Sequence, residues 1–301
     1  MKHSLKDWIF ATRPWSLTAS SMPALIAISY IFFIRNEFDT CININWWFGL
    51  IALVGAVIFQ VGGNLLNDYF DYKYNVDRKD TYSSRTLVDG YFFPKEILYM
   101  GIVFLSIGAI IGIYLLINTG WHLLWIGALG LMGTYFYNKM KYIALGDIVI
   151  FLIYGLLIGL GVVYVMTGEL IWQILLVTSP VGFLIVGILH ANNTRDILND
   201  KKANIQTQAM LFGLKGSKMY FVILMLGSYL WILGLLIFKI LPPLNLFVIG
   251  TLPLTMKCVK QMSSVEINNL DKIKTLTESV AKLVMIFSLL LSAANIVSGI
   301  F

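Results

Sequence analysis

Charge is scarce in this chain. Of its 301 residues only 13% are Asp, Glu, Lys or Arg while 58% are apolar, and the mean hydropathy is +0.79. That balance excludes an ordinary soluble domain and leaves a polytopic membrane protein, with residues 1–301 forming one membrane domain. Cysteine is nearly absent: Cys41 and Cys258 lack CxxC spacing, which argues against a cysteine-based metal or redox centre. The topology derived below puts them on opposite sides of the bilayer, so no disulfide is expected between them. The three histidines do not fall at metal-ligand spacing either. The formal charge is +6, but the bases are scattered through short loops rather than gathered on one face, so nucleic acid is not an expected partner. The first apolar run lacks a small-residue cleavage site, so it reads as a retained helix rather than a signal peptide.

Long apolar runs, by contrast, are plentiful. Reading for segments of roughly 17–25 residues gives about nine spans. They lie near 17–34, 46–69, 96–117, 121–138, 144–166, 171–193, 218–238, 244–260 and 279–300. The expected fold is therefore all-α, with about nine transmembrane helices. With these spans, every Lys and Arg except Arg35 and Lys239 falls on one side. Short cytoplasmic loops carry such an excess, so the N-terminus and the ends of the second and sixth spans are expected to be cytoplasmic, as in a cell inner membrane.

Two polar clusters interrupt the apolar pattern at those two ends. Asn67 and Asp71 stand one helical turn apart with Asp68 beside them and Asp77 beyond. Asn192, Asp196 and Asp200 repeat the arrangement at i, i+4 and i+8. The offset from Asn67 to Asn192 equals that from Asp71 to Asp196, which suggests paired half-sites and an internal duplication. Carboxylates grouped at the mouth of a membrane helix repel one another and are a functional-site hypothesis by default.

All the candidate ligand atoms are oxygens, which suits a hard cation; Mg²⁺ in particular is usually held by a few carboxylates together with a substrate's phosphates. Bases lie close by: Lys73, Arg78, Lys79 and Arg85 after the first cluster, and Arg195, Lys201 and Lys202 in or after the second. Acids alternating with bases at one mouth fit a metal-bound diphosphate, and apolar helices behind them fit a lipid tail. Cations there would neutralise charge on a departing diphosphate. The faces of Tyr69, Phe70, Tyr72, Tyr74, Tyr135 and Tyr137 are candidates to stabilise an allylic carbocation. An ion-coupled carrier is the competing class, but a carrier would place its acids near the bilayer midplane.

The segments Asn67-Asp68-Tyr69-Phe70-Asp71 with Asp77, and Asn192-Asn193-Thr194-Arg195-Asp196-Ile197-Leu198-Asn199-Asp200, resemble the two Asp-rich motifs of the UbiA superfamily of intramembrane prenyltransferases. The first has the form of the MenA branch, the 1,4-dihydroxy-2-naphthoate polyprenyltransferases. Further similarity lies in Arg13-Pro14-Trp15-Ser16, in Ser84-Arg85-Thr86-Leu87-Val88-Asp89 and in Lys141-Tyr142-Ile143-Ala144-Leu145-Gly146-Asp147. The segment from His190 to Asp196 also resembles animal menaquinone-4-forming relatives.

The resemblance implies nine helices around a central cavity and Mg²⁺-dependent transfer of a polyprenyl group from its diphosphate to an aromatic acid. In the MenA branch that acid is 1,4-dihydroxy-2-naphthoate, giving demethylmenaquinone in menaquinone biosynthesis; 4-hydroxybenzoate is the alternative acceptor. It further implies that Asn67, Asp68, Asp71, Asp77, Asn192, Asp196 and Asp200 hold metal and diphosphate. Arg85, Lys141, Arg195 and Lys201 are candidates for phosphate contact or acceptor orientation, and Tyr137 and Asp147 for substrate contact. His190 reads as a hydrogen-bonded packing residue. The oligomeric state is not legible in the sequence.

Overall fold

The structure, a computed structural model, describes residues 3–37, 43–74, 85–141, 143–202 and 206–301, without the side chains at 85, 135, 137–139, 141 and 202. The described residues are almost entirely helical. Besides shorter helices, nine principal helical segments follow in order among the described residues: α1 (Thr18–Ile34), α2 (Trp46–Lys73), α3 (Pro94–Thr119), α4 (His122–Lys141), α5 (Gly146–Thr167), α6 (Gln173–Arg195), α7 (Gln208–Ile237), α8 (Leu252–Ser263) and α9 (Leu276–Ile300). Each covers most of one expected span.

Among the described residues seven helices are long and apolar enough to cross a membrane; α4 and α8 fall short. The last turn of α4 carries Asn138, Lys139 and Lys141, which shortens its apolar length. Ahead of α8, prolines at 242 and 243 remove backbone donors, and Pro243–Thr251 winds as a 3-10 helix instead. A π-helical stretch, Phe151–Leu157, interrupts α5.

The main core joins buried residues of α1, α5, α6, α7 and α9, with Ile26, Ile31, Val163, Leu184, Met225 and Phe287 all nearly inaccessible. Helices α5 and α6 meet at two glycines. A Cβ added to Gly182 would lie 2.6 Å from the Gly155 Cα, so side chains there would force the helices apart. Gly213, at φ 63, breaks the start of α7 in a conformation that costs glycine little.

A smaller core clamps the N-terminal helix Leu5–Ala11 onto the end of the bundle, where Ala11 packs with Val61 and Leu65 of α2, Leu87, Phe92 and Ile97. That helix begins with a Ser4–Asp7 capping box, and the Ser4 hydroxyl holds the Asp7 carboxyl below its ordinary pKa.

Three contacts set the direction of the helices that matter for the site. Asn295 of α9 donates to the Ser29 hydroxyl of α1 at 3.3 Å, and Gly299 sits against Phe32, so α1 and α9 run parallel. Gln60 of α2 donates to the Ser16 carbonyl at 2.8 Å and accepts from the Ser20 amide, so the second half of α2 lies beside the start of α1. Thr277, at the start of α9, donates to Asn192 near the end of α6. The C-terminal ends of α2 and α6, which carry the two Asn/Asp clusters, therefore emerge at the same end of the bundle.

Candidate active site

On α2 the residues Ala56, Gln60, Asn64, Asn67 and Asp71 follow one another at i+4, i+4, i+3 and i+4, and so share one helical face. The lower part of that face, Ala56 and Gln60, lines a chamber of about 510 Å³ between α2, α3, α4 and α5. Its wall is almost wholly apolar. Ser20, Gln60 and Thr134 are polar lining residues, Phe59 and Tyr154 bring aromatic surface, and Leu116, Leu123 and Val165 extend it toward the far end. The first cluster thus stands on the face of α2 that continues the chamber wall.

Within that cluster Asp68 is 2% exposed and forms an ion pair with Arg13. Arg13 reaches it from a left-handed turn, φ 55, ahead of α1. Asn64 Nδ2 donates to the Thr12 carbonyl at 3.1 Å and to Ser16 Oγ at 2.9 Å, tying the same turn to α2. Asn67 is exposed and Asp71 half-buried at the end of the helix. Asp77 lies outside the described residues.

In the second cluster Asp196 caps the end of α6, and Arg195 holds its carboxylate with two bonds, Nε to Oδ1 at 2.9 Å and Nη2 to Oδ2 at 2.6 Å. Asn192 Oδ1 accepts from Thr277 at 2.7 Å. The chain then bends into the short helix Ile197–Lys202, where Asp200 is buried and Lys201 exposed. Arg85 opens a short helix, Arg85–Val88, and Tyr137 and Lys141 lie in the last turns of α4; the directions of these three side chains fall outside the description.

Asp147 occupies a different setting. It is 1% exposed at the start of α5, beside His190 and Asn193 of α6, and also borders an apolar furrow of about 840 Å³ that runs along α5, α6 and α7. His190 is a hydrogen-bonded packing residue, as its position on a membrane helix suggests. The tyrosine expectation fares less well. Tyr72 and Tyr74 are exposed, and Lys73 Nζ lies 5.9 Å from the ring centres of Tyr69 and Tyr74. Among the described side chains Phe59 and Tyr154 are the aromatics that line the chamber, and they sit inside apolar runs where nothing marks them out.

No three His, Cys, Asp or Glu side chains among the described residues converge closely enough to form a metal cage. The donors that are present, carboxylate and amide oxygens beside arginines, suit a hard cation that takes part of its coordination from a ligand's phosphates.

The sequence pattern of the UbiA prenyltransferase family matches residues 40–294. The chain belongs to the UbiA prenyltransferase family. Among its relatives, UbiA prenyltransferase domain-containing protein 1 of Mus musculus is 31% identical over 235 residues, covering 76% of this chain and 68% of the mouse protein. The Drosophila melanogaster homologue is 31% identical over 233 residues, covering 75% of this chain and 63% of the fly protein. Two archaeal UbiA homologues share the fold. The apo structure from Aeropyrum pernix K1 superposes with a TM-score of 0.68 at 13% identity, covering 93% of this chain and 98% of that one. The Archaeoglobus fulgidus homologue, solved bound to GPP and Mg²⁺, has a TM-score of 0.61 at 16% identity, covering 98% and 100%. UbiA membership and the apolar helices make this an integral, multi-pass membrane enzyme of the prenyl-transferring class.

Proposed function

We propose that this UbiA-family protein transfers a polyprenyl group from its diphosphate to an aromatic acid, with the diphosphate at the two Asn/Asp clusters and the prenyl tail in the chamber between α2 and α5. The observation that carries this reading is the single face of α2. Its lower residues line an apolar space, and its upper residues supply Asn67 and Asp71. An amphiphile with an anionic head and a hydrocarbon tail matches that change from polar to apolar.

Asn67, Asp68, Asp71 and Asp77 from α2 and its loop, with Asn192, Asp196 and Asp200 from α6, are the proposed holders of Mg²⁺. The Archaeoglobus homologue was solved bound to GPP and Mg²⁺, which supports a prenyl diphosphate and Mg²⁺ as the ligands. When bound, the ion withdraws charge from the departing diphosphate. Arg195 is placed to exchange the Asp196 carboxylate for a phosphate, since its planar fork suits either. Arg85, Lys141 and Lys201 remain candidates for the diphosphate or the acceptor, as does Tyr137 for the acceptor. The apolar chamber wall suits the hydrocarbon tail and offers it few polar groups.

For the acceptor we favour 1,4-dihydroxy-2-naphthoate, on the MenA-like spacing of Asp71 and Asp77. The ester C–O bond to the diphosphate breaks, a C–C bond forms to the ring, and the ring carboxylate leaves as CO₂. This would place the enzyme in menaquinone biosynthesis. The one-sided distribution of Lys and Arg supports a cytoplasmic mouth for the site.

Purified protein given Mg²⁺ and radiolabelled prenyl diphosphate, with 1,4-dihydroxy-2-naphthoate or 4-hydroxybenzoate, tests the reading. Labelled product from the naphthoate together with released diphosphate is expected. Product from 4-hydroxybenzoate alone would replace the acceptor, and no diphosphate release with either would overturn prenyl transfer.

A further inference from the structure

Asp147 is a buried carboxylate at the meeting point of three helices. Its backbone N–H donates to Gln208 Oε1 at the start of α7, at 3.0 Å. Its Oδ2 lies 3.2 Å from His190 Nδ1, and its Oδ1 accepts from Asn193 Nδ2 at 3.5 Å. Both partners belong to α6. Asp147 is 1% exposed, His190 0% and Asn193 4%. Burying a carboxylate costs several kcal/mol unless donors satisfy it, so three polar side chains grouped in an apolar bundle are not a packing convenience.

The arrangement along α6 gives the cluster a purpose. His190 and Asn193 stand at i and i+3 and share a face; Asn192 and Asp196, at i and i+4, share another. At about 100° per residue the two faces are roughly a quarter to a third of a turn apart. Whatever fixes the first face fixes the direction of the second. Asp147 bonds residues on both sides of Asn192 in sequence, and Thr277 of α9 holds Asn192 itself. Among the described residues His190 Nε2 has no hydrogen-bond partner and the ring packs edge-on to Tyr220 at 4.8 Å, so the described polar anchorage of His190 runs through Nδ1 to Asp147.

We propose that Asp147 is a positioning residue: through His190 and Asn193 it sets the rotation of the end of α6, and with it the direction in which Asn192 and Asp196 present their oxygens. This replaces acceptor contact as the role of Asp147. It rests on the reading of those oxygens as metal and diphosphate ligands. Outer partners that orient ligating groups are typically worth about ten- to a hundredfold in metal affinity.

The test is calorimetric binding of Mn²⁺ with inorganic diphosphate to the purified full chain, beside the KM values for prenyl diphosphate and for acceptor. For Asp147→Asn, Mn²⁺–diphosphate affinity is expected to fall by about tenfold or more, with the KM for acceptor unchanged. Unchanged Mn²⁺–diphosphate affinity would overturn the proposal, and a raised acceptor KM in its place would return Asp147 to acceptor contact. If Asp147→Asn does not fold, Asn193→Ala, which keeps the His190–Asp147 pair, is read by the same two measurements. It is expected to weaken Mn²⁺–diphosphate binding less than tenfold but measurably, and no weakening would again overturn the proposal. A wild-type protein that binds no Mn²⁺–diphosphate would instead sink the ligand assignment beneath it.

Discussion

Thr277, in the first turn of α9, donates a 2.7 Å hydrogen bond to Asn192 Oδ1 at the end of α6. The same end of the bundle holds the Arg13–Asp68 pair of the first cluster. Replacing Thr277 by Val keeps the shape and removes the donor. One net hydrogen bond is worth about 1 kcal/mol, or roughly fivefold in an equilibrium constant. Thr277→Val is therefore expected to raise the Mg²⁺ concentration for half-maximal turnover about fivefold, with little change in the rate at saturation. A Mg²⁺ titration of initial rate measures this, and an unshifted curve would remove Asn192 from the ligand set.

Asp71 and Asp196 carry the strongest expectation. Asp→Asn keeps the size of the side chain and removes its charge, and a neutral amide is a poor substitute in an oxygen site for a hard cation. Asp71→Asn and Asp196→Asn should each reduce diphosphate release by about a thousandfold or more, in the range of a lost electrostatic catalytic group. Both proteins should still be recovered folded from membranes, which size-exclusion chromatography in detergent reads directly. Near-normal turnover of either variant at low Mg²⁺ would show that the metal is held elsewhere.

Asp68 differs from its neighbours because it is buried against Arg13. Its first role is to dock the turn ahead of α1 onto α2, and lysine cannot reproduce a guanidinium at that geometry. Hydrogen bonds to charged groups contribute about 1.5–3 kcal/mol, and Arg13→Ala should cost about that much. Thermal unfolding in detergent is the measurement. Arg13→Lys should recover only part of the loss, whereas full recovery would reduce the contact to simple charge pairing.

These residues also show what the sequence could convey. Asn67, Asp71, Asn192 and Asp196 stand out because polar groups at helical spacing are conspicuous in apolar runs, and the lopsided Lys and Arg pattern orders the spans. Arg13 stands in a family-like segment, but its pairing with Asp68 depends on a left-handed turn that no local pattern announces. Thr277, Gln60 and Gln208 are uncharged and lie far in sequence from what they hold, so only packing reveals them. A full α-helical span at 244–260 does not form, because the prolines at 242 and 243 start a 3-10 helix there. The tyrosines after Asn67 are near the cluster in sequence, but a helix end turns neighbours to different faces.

The chamber gives the last prediction, and glycine makes it testable. Gly112 of α3 and Gly127 and Gly130 of α4 line the space, and a Cβ built on any of them meets no atom within 4 Å. A side chain added at these positions therefore has room at the chamber wall without displacing a described neighbouring helix. Gly127 lies toward the far end of the chamber from the Asp71 end of α2, because α4 starts near the C-terminus of α3 and runs back toward the clusters. If the prenyl tail fills the chamber, Gly127→Phe should block the deep part and spare the part near the diphosphate. Turnover of geranyl diphosphate should then stay within about threefold of wild type, while that of a long polyprenyl diphosphate falls by at least about tenfold, the scale of a steric mismatch in an apolar pocket. Gly130→Phe, one helical turn nearer the clusters, should restrict shorter donors as well. Competition assays with paired labelled donors measure both ratios. Equal loss for every donor length would mean that the tail runs elsewhere, and the furrow along α5, α6 and α7 would be the next place to block.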